Sequence, residues 1–299
     1  MIARLGRYVA GSFPPIFYLP YAAAWALGGT AMFALGRRAA PTWRPGWSTL
    51  ATLASFTVLL LLIRAIDDLR DLEYDREHNP RRPLASGAVT VSDLGVLIVA
   101  GAATVLLLNA PRGAVWAAAA VALAYATALL IADRLLHWPS GDAIIVSALM
   151  SLPVQLLLGA YLYAAFVRDT HSPVGLGALL PLATMSAIFA HLELARKTAR
   201  APRPGERTYV SVLGVRAAAL SALAAAAVAT LLALLLTRPW APGGGWGWLV
   251  LAPALLPIRG ALRFQRGTAA RWPAADAGFY ILTAFTAFLV VDLLEGHTP

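Results

Sequence analysis

Nine stretches of about twenty consecutive apolar residues dominate this sequence and restrict what it can fold into. A helix of that length crosses the hydrocarbon core of a bilayer. Only 13% of the 299 residues are charged, whereas soluble domains carry roughly a quarter, so most of the surface must face lipid. The sequence predicts an all-α, multi-pass integral membrane protein, with residues 1–299 in a single domain. The predicted spans are residues 14–36, 48–70, 91–109, 113–133, 141–167, 174–198, 215–237, 246–264 and 275–294.

The distribution of basic residues explains the net charge of +9 and predicts the orientation. If the N-terminus is cytoplasmic, 18 of the 24 Lys and Arg residues fall on the cytoplasmic side and 6 on the other, in agreement with the positive-inside rule. We therefore expect a cytoplasmic N-terminus, a C-terminus on the opposite side, and cytoplasmic loops at 71–90 and 199–214. The membrane is the cell membrane if the source is prokaryotic. The expected partner of the positive charge is thus the bilayer and not nucleic acid.

The acidic residues are concentrated where the second span ends. Six of the fifteen Asp and Glu residues lie between positions 67 and 77. On a helix Asp67, Asp71 and Asp75 lie four apart and Asp68 lies three before Asp71, so the carboxylates share one face over two turns. Their mutual repulsion is larger near a membrane, and a bound cation relieves it. Because the sequence has no cysteine and only five histidines, these hard oxygen ligands indicate Mg²⁺.

A simpler interpretation is a solvated helix end of mixed charge. In that case the acids pair with nearby arginines, namely Arg64, Arg70 and Arg76. The next segment favours a phosphate site, because an arginine pair, Arg81 and Arg82, is followed by turn-forming Pro83 and Gly87. Guanidinium groups bind phosphate oxygens in pairs, opposite a bridging metal ion.

A second polar cluster lies in the connection between spans six and seven. Glu193 and Lys197 are four apart, which is the spacing of an ordinary helical ion pair. The functional interpretation makes Glu193 a metal ligand and makes Arg196, Lys197 and Arg207 diphosphate contacts. Both clusters are predicted at cytoplasmic ends of even-numbered spans, so they can face each other across one cavity.

These residues resemble the UbiA-type superfamily of intramembrane prenyltransferases. The family motif NDxxDxxxD is matched from Asp67 to Asp75, with Asp67 in place of Asn, and the RPLxxG run that follows is matched from Arg82 to Gly87. The resemblance covers the whole chain in helix count but is strong only over residues 67–87. It implies nine transmembrane helices around a central cavity, with an aspartate-rich motif in the connection between spans two and three and another between spans six and seven.

The second family motif is altered, which indicates a divergent branch. The family has DxxxD ahead of a Gly-x-Lys-Thr-Leu segment, whereas this chain has Glu193 and Lys197, and then Arg207-Thr208-Tyr209. Replacing the second acid by lysine removes a metal ligand, although an ammonium group can bind the diphosphate directly.

The resemblance implies an enzyme that ionises an isoprenyl diphosphate with Mg²⁺ as its cofactor. The catalytic and metal-binding residues are then Asp67, Asp68, Asp71 and Asp75, with Glu193 as a further ligand. The diphosphate contacts are Arg64, Arg81, Arg82, Arg196, Lys197 and Arg207. The candidates for lining an apolar cavity, where aromatic faces stabilise a carbocation, are Tyr125, Tyr161, Tyr163 and His191.

Three functions remain open from the sequence. A prenyltransferase passes the prenyl group to an acceptor, which we expect to be aromatic but which the sequence does not identify. A membrane terpene cyclase instead uses an internal double bond of the substrate and needs no acceptor. A transporter or scaffold with a cation site is disfavoured, because the acids lie at the membrane edge beside a basic loop and not at the midplane.

Overall fold

The computed structural model describes residues 1–37, 43–140 and 142–295, and in these ranges it contains helices and no strand. Nine helical segments of the described residues are long and apolar enough to cross a membrane. This confirms the predicted number of spans. The segments are Pro15–Leu35, Trp47–Arg70, Val91–Arg112, Ala114–Leu136, Ile144–Thr170, Leu176–Arg196, Val215–Thr237, Gly245–Gln265 and Ala274–Glu295.

The chain divides into two compact units. The first comprises Met1–Ala23 and Pro45–Ala165, and the second comprises Ala24–Arg44 and Phe166–Pro299. The helices of the first unit are α1 (Ile2–Ser12), the start of α2 (Pro15–Leu35), α3 (Trp47–Arg70), α4 (Leu72–His78), α5 (Val91–Asn109), α6 (Ala114–Leu136) and most of α7 (Ile144–Thr170). Those that lie wholly in the second unit are α8 (Leu179–Arg196), α9 (Val210–Leu213), α10 (Val215–Thr237), α11 (Leu255–Gln265) and α12 (Ala274–Glu295).

The core of the first unit lies beside the end of α3. A cluster of buried apolar side chains joins α1, α3, α4, the loop at 79–90 and the start of α5, and consists of Tyr8, Ala65, Leu69, Leu72, Leu84, Val89 and Leu94. Because the loop contributes Leu84 and Val89 to this core, its path is fixed by the same apolar burial that packs the helices. The loop therefore holds its polar residues close to the end of α3.

Helix α1 is a short separate element that precedes the first span. The guanidinium of Arg4 donates two hydrogen bonds to Asp93, with Nε to Oδ2 at 2.7 Å and Nη2 to Oδ1 at 2.9 Å. Asp93 also accepts from the backbone N–H of Thr90 at 3.0 Å, within a capping box at the start of α5. A two-bond guanidinium–carboxylate contact has defined geometry, so it fixes α1 against the start of α5.

In the second unit α2 and α12 approach each other closely. Trp25, Phe189 and Phe285 form an aromatic cluster, in which the ring centroids of Trp25 and Phe189 are 4.0 Å apart. A Cβ atom at Gly28 would lie 2.1 Å from the backbone oxygen of Phe285. The absence of a side chain at position 28 is therefore what permits this helix packing.

The eighth span has two parts. A 3-10 helix covers Gly245–Ala254, and α11 continues as an α-helix to Gln265. The change occurs between Pro253 and Pro257, the two prolines that interrupt the span in the sequence. Proline lacks a backbone N–H and restricts the preceding turn, so a regular α-helix is disfavoured there.

Candidate functional site

The aspartate-rich segment keeps its helical spacing across the junction of α3 and α4. Asp71 lies between the two helices, yet its backbone N–H bonds to the carbonyl of Asp67 at 2.9 Å, and that of Asp75 bonds to the carbonyl of Asp71 at 2.8 Å. The i to i−4 pattern of an α-helix thus continues through the junction. The four aspartates therefore share one face, as the sequence predicts.

Asp68 is buried and has two close partners at its carboxylate. Its side chain is 3% exposed, and it accepts a hydrogen bond of 2.9 Å from the hydroxyl of Tyr8 and forms an ion pair of 2.7 Å with Nη2 of Arg64. Burial, and then the charge of Asp68, raise the pKa of Tyr8 well above its usual value, so its hydroxyl remains a donor at neutral pH. A buried carboxylate is costly unless it is paired, and these contacts provide that pairing.

Asp75 is equally buried and is held by residues that follow it. Its Oδ2 lies 2.5 Å from Nη1 of Arg82, and its Oδ1 accepts a hydrogen bond of 2.8 Å from Nδ2 of Asn79. The same Nη1 of Arg82 lies 3.8 Å from Oδ1 of Asp68. Arg82 therefore connects the two buried acids of the segment, while about a third of its side chain (34%) remains exposed.

The loop that carries Arg82 has a defined turn structure. The backbone N–H of Ser86 bonds to the carbonyl of Arg82 at 2.9 Å, and Gly87 has a positive φ of 76°, which favours glycine. Pro83 packs against α1, where a Cβ atom at Gly11 would lie 2.6 Å from its Cγ. In the Arg-Pro-Leu-x-x-Gly run, Arg82 thus forms ion pairs and Pro83 packs against α1. Leu84 belongs to the apolar core, and Gly87 forms the turn.

Asp67 and Asp71 are the more accessible of the four aspartates in the segment. Asp71 is partly buried, whereas 43% of the Asp67 side chain is exposed and its Oδ1 lies 3.4 Å from Nη2 of Arg70. Mg²⁺ is commonly held by one or two carboxylates together with substrate phosphates and water, so these two side chains fit the ion chemically. Among the described residues no three His, Asp or Glu side chains converge into a metal-binding group. The ligand set of five predicted from the sequence stays a prediction.

The simpler interpretation of the segment is partly realised. Two of its three arginines form the expected ion pairs, Arg64 with Asp68 and Arg70 with Asp67. Arg81 and Arg76 are exposed. The arginine pair predicted to bind phosphate is therefore divided, since Arg82 contacts aspartates and Arg81 faces outward from the loop.

The second cluster forms the helical ion pair that its spacing predicts. Nζ of Lys197 lies 2.5 Å from Oε1 of Glu193, and the two side chains are 32% and 36% exposed. The hydroxyl of Tyr209 donates to the same Oε1 at 3.3 Å, and its ring centroid lies 5.8 Å from Nζ of Lys197. Burial and the nearby carboxylate raise the pKa of Tyr209. Tyr209 therefore acts as a neutral donor to Glu193.

The loop after α8 is tied to the segment before α12. Ala199 and Arg271 form an isolated antiparallel bridge, and the backbone N–H of Arg200 bonds to the carbonyl of Ala270 at 2.9 Å. Arg271 also pairs with Glu206. The hydrogen bond from Arg271 is the main cause of the lowered pKa of Glu206. Of the predicted phosphate contacts on this loop, Arg196 is exposed and Arg207 is partly buried.

The side chains predicted to line a cavity make packing and hydrogen-bond contacts. Tyr125 donates to the carbonyl of Met150 at 2.9 Å, and Tyr161 is fully buried with its hydroxyl 3.4 Å from Oδ1 of Asn109. His191 is also fully buried, and its Nδ1 lies 2.8 Å from the carbonyl of Ala222. Tyr163 is partly buried. Their role in lining a cavity stays a prediction.

Sequence reasoning missed three residues of these clusters. Asn79 lies four residues after Asp75, a spacing that indicates a contact on a helix end. Tyr209 stands where the related motif has leucine, so its hydroxyl is a recognisable departure. Tyr8 has no such signal, because it is 60 positions from Asp68 in the chain.

Comparisons with known proteins identify the fold. No model of a known protein family and no curated protein sequence matches the chain. A UbiA homologue from Aeropyrum pernix K1, solved in its apo form, is 21% identical with a TM-score of 0.57, over 91% of this chain and 94% of that one. A UbiA homologue from Archaeoglobus fulgidus, bound to DMAPP and Mg²⁺, is 15% identical with a TM-score of 0.52, over 93% and 99%. This chain therefore has the fold of the UbiA-type superfamily, as the sequence predicts.

Proposed function

We propose that this protein is a magnesium-dependent membrane prenyltransferase that ionises an isoprenyl diphosphate. The observation that carries the proposal is the cluster at the end of α3, where Arg82 connects the buried carboxylates of Asp68 and Asp75. The cluster lies at the end of a membrane-spanning helix and combines oxygen ligands with guanidinium groups. The UbiA homologue from Archaeoglobus fulgidus, which shares the fold, is bound to DMAPP and Mg²⁺.

In this proposal the four aspartates have two roles. Asp67 and Asp71, the more accessible pair, would hold Mg²⁺, which when bound supplies positive charge to the diphosphate oxygens. Asp68 and Asp75 orient Arg82, because both are buried and both lie within ion-pair distance of its Nη1. The larger set of ligands predicted from the sequence would include these two acids and is the alternative.

The arginines stabilise the leaving group. The bond between the allylic carbon and the diphosphate oxygen breaks, and its electron pair leaves with the diphosphate. A guanidinium carries five N–H donors, so Arg82 can bind both aspartates through one nitrogen and phosphate oxygens through others. Arg81, exposed next to it, adds a second positive charge. Arg64 instead balances Asp68, with which it is paired at 2.7 Å.

The second cluster supplies a further basic contact in this proposal. Lys197 is partly exposed although paired with Glu193, so its ammonium group has donors left for a phosphate oxygen. Arg196 and Arg207 keep the diphosphate-binding role predicted from the sequence. We assign Glu193 to Lys197 and Tyr209, its two observed partners, in preference to a metal ion.

The group that reacts with the carbocation distinguishes the transferase from the second candidate function, a cyclase. In a transferase an acceptor, which we expect to be aromatic, forms the new carbon bond and releases a proton. In a cyclase an internal double bond of the prenyl chain forms that bond. We keep the cyclase as an alternative because the second family motif is altered in this chain. The Glu193–Lys197 pair stands where the family has a pair of acids.

The test is diphosphate release by purified protein in detergent. Geranyl, farnesyl and geranylgeranyl diphosphates would each be supplied with Mg²⁺ or with EDTA, first without an acceptor and then with aromatic acceptors. We expect release that requires Mg²⁺. A cyclised product without acceptor supports the cyclase, whereas a prenylated acceptor supports the transferase.

Matched variants identify the site. Asp67→Ala and Asp71→Ala should abolish release, whereas Glu73→Ala, at an exposed acid of the same segment, should leave it unchanged. Thermal unfolding of each variant in detergent establishes that it is folded. Absence of release from the folded wild-type protein with every donor and acceptor would overturn the proposal.

A further inference from the structure

The outer surface of α11 contains a groove of 380 Å³ outside the clusters described above. It is lined by Thr268 and by six residues of α11 and its end, which are Leu255, Ile258, Arg259, Leu262, Arg263 and Arg266. The three arginines follow each other at intervals of four and three residues, so they lie along one side of the helix over two turns. The groove thus combines a row of positive charges with apolar side chains.

The charges in the groove are only partly balanced. Arg259 pairs with Asp276, a fully buried carboxylate of α12, and Arg263 lies 3.8 Å from the other oxygen of the same residue. The ion pairs of the groove arginines thus involve one carboxylate, that of Asp276. The side chains of Arg259 and Arg263 are still 58% and 52% exposed, and Arg266 is exposed as well. The groove has a net positive charge that is open to an external anion.

The apolar side chains of the groove are accessible. Leu255 is 68% exposed, Ile258 47% and Leu262 43%, and all three belong to a segment that is long and apolar enough to cross a membrane. The arginines lie at the end of that segment that the sequence predicts to be cytoplasmic. The apolar side chains along the span can therefore contact the acyl chains of a lipid molecule, and the basic groups at the end of the span can contact its phosphate.

We propose that this groove binds an anionic phospholipid, with the phosphate headgroup at Arg263 and Arg266 and the upper acyl chains along Leu255, Ile258 and Leu262. Charge complementarity distinguishes this occupant from others. A zwitterionic lipid would leave the excess positive charge unmatched, and a soluble phosphate ion would leave the apolar side chains uncovered. The proposal is independent of the enzymatic function proposed above.

The test is native mass spectrometry of the delipidated protein in detergent. The protein would be titrated with phosphatidylglycerol or with phosphatidylcholine of identical acyl chains. We expect tighter binding of phosphatidylglycerol to the wild-type protein. The double variant Arg263→Gln/Arg266→Gln should weaken that binding about thirtyfold, because each of the two basic residues near a membrane surface contributes on the order of 1 kcal/mol to anionic lipid binding. Arg259 is left in place to keep its pair with Asp276.

A control variant removes the same charge elsewhere. Arg203→Gln/Arg216→Gln changes two exposed arginines on the same predicted side of the membrane, and it should bind phosphatidylglycerol as the wild type does. Equal weakening in both double variants would show general charge attraction and overturn the proposal. So would unchanged binding in the Arg263/Arg266 variant, or displacement of the lipid by equimolar glycerol 3-phosphate.

Discussion

The hydroxyl of Tyr8 donates a hydrogen bond of 2.9 Å to Asp68, so that a residue of α1 holds a carboxylate 60 positions later in the chain. Tyr8 is fully buried and Asp68 is 3% exposed, so water is not available to replace the bond. The short helix before the first span is therefore part of the support of the aspartate-rich segment. It cannot be regarded as a simple extension of α2.

Tyr8→Phe should lower both stability and activity. Loss of the hydroxyl leaves a buried carboxylate with one donor fewer, which typically costs about 1–3 kcal/mol. Because Asp68 also lies near Arg82, we expect diphosphate release to slow by about tenfold, the rate equivalent of 1.4 kcal/mol. Thermal unfolding in detergent and initial rates of release measure the two effects.

The matched control is Tyr125→Phe. Tyr125 donates to a backbone carbonyl, that of Met150, in the same unit and is not part of the carboxylate cluster. Loss of the hydroxyl should lower stability by about 1 kcal/mol, the usual contribution of a neutral hydrogen bond. The rate of release should stay unchanged, because phenylalanine keeps the aromatic face that is predicted to line the cavity. If both variants reduce the rate equally, Tyr8 has no specific relation to the site.

Arg82→Gln should be strongly destabilising, because two buried carboxylates lose a cation at once. Removing one partner of a buried ion pair costs about 3–5 kcal/mol, and the partial exposure of Arg82 places the expected loss near the lower end. Arg82→Lys should recover stability in part, since a lysine retains the charge but not the fork geometry. Arg81→Gln, at the exposed neighbour, is the control and should change the unfolding temperature little.

Lys197→Gln separates a structural role from a role in binding diphosphate. The Glu193–Lys197 pair is about one-third exposed on a helix, so its loss should cost less than about 1 kcal/mol. If Lys197 binds the substrate, the KM for the diphosphate should rise about tenfold in steady-state assays, the loss expected for one hydrogen bond to a charged group. Glu193→Gln breaks the same pair but keeps the ammonium group. Identical KM values for the two variants would contradict the binding role.

Gly28→Ala should destabilise the second unit. The new methyl group would lie 2.1 Å from the backbone oxygen of Phe285, and a backbone atom cannot move aside as a flexible side chain can. Overpacking of this kind costs about 1–3 kcal/mol. Gly95→Ala is the matched control, because it lies in another spanning helix with no neighbouring atom within 4 Å of the added Cβ. Thermal unfolding of the two variants should differ clearly in midpoint.

The ion pair of Glu206 with Arg271 should make stability depend on pH. The hydrogen bond from Arg271 lowers the pKa of Glu206 below its ordinary value of 4.5, so the stabilisation is complete above that value and is lost as the pH falls through the lower folded-state pKa. The difference in unfolding temperature between wild type and Glu206→Gln should therefore be larger at pH 7 than at pH 3. A difference that is constant with pH would exclude a contribution of this carboxylate.

The fold was largely predictable because hydropathy determines it. Long apolar stretches specify all nine membrane-spanning segments found in the described residues, whatever their detailed contacts. The 3-10 helix at Gly245–Ala254 was not predicted, because its hydropathy is that of any span. Helix α1 was not predicted either, since eleven residues with an exposed face give no spanning signal.

The site was predictable only in the contacts made within a few helical turns. The spacing of Glu193 and Lys197 indicates their ion pair directly, and the common face of Asp67, Asp71 and Asp75 follows from helix geometry. The position of Arg82 next to both Asp68 and Asp75 depends on the fold of a loop, which spacing does not determine.

The long-range contacts of α1 also impose an order on membrane insertion. Tyr8 cannot bond to Asp68 before Asp68 has been synthesised, and Arg4 cannot bond to Asp93, which is 89 residues later, before Asp93 has been synthesised. Helix α1 therefore cannot complete its docking until the start of α5 has been made. Asp68 nevertheless has a counter-ion as soon as α3 forms, because Arg64 lies one helical turn before it on the same helix. The nascent chain thus compensates the charge of this carboxylate within one helix, and the tyrosine hydroxyl is added only when α1 docks.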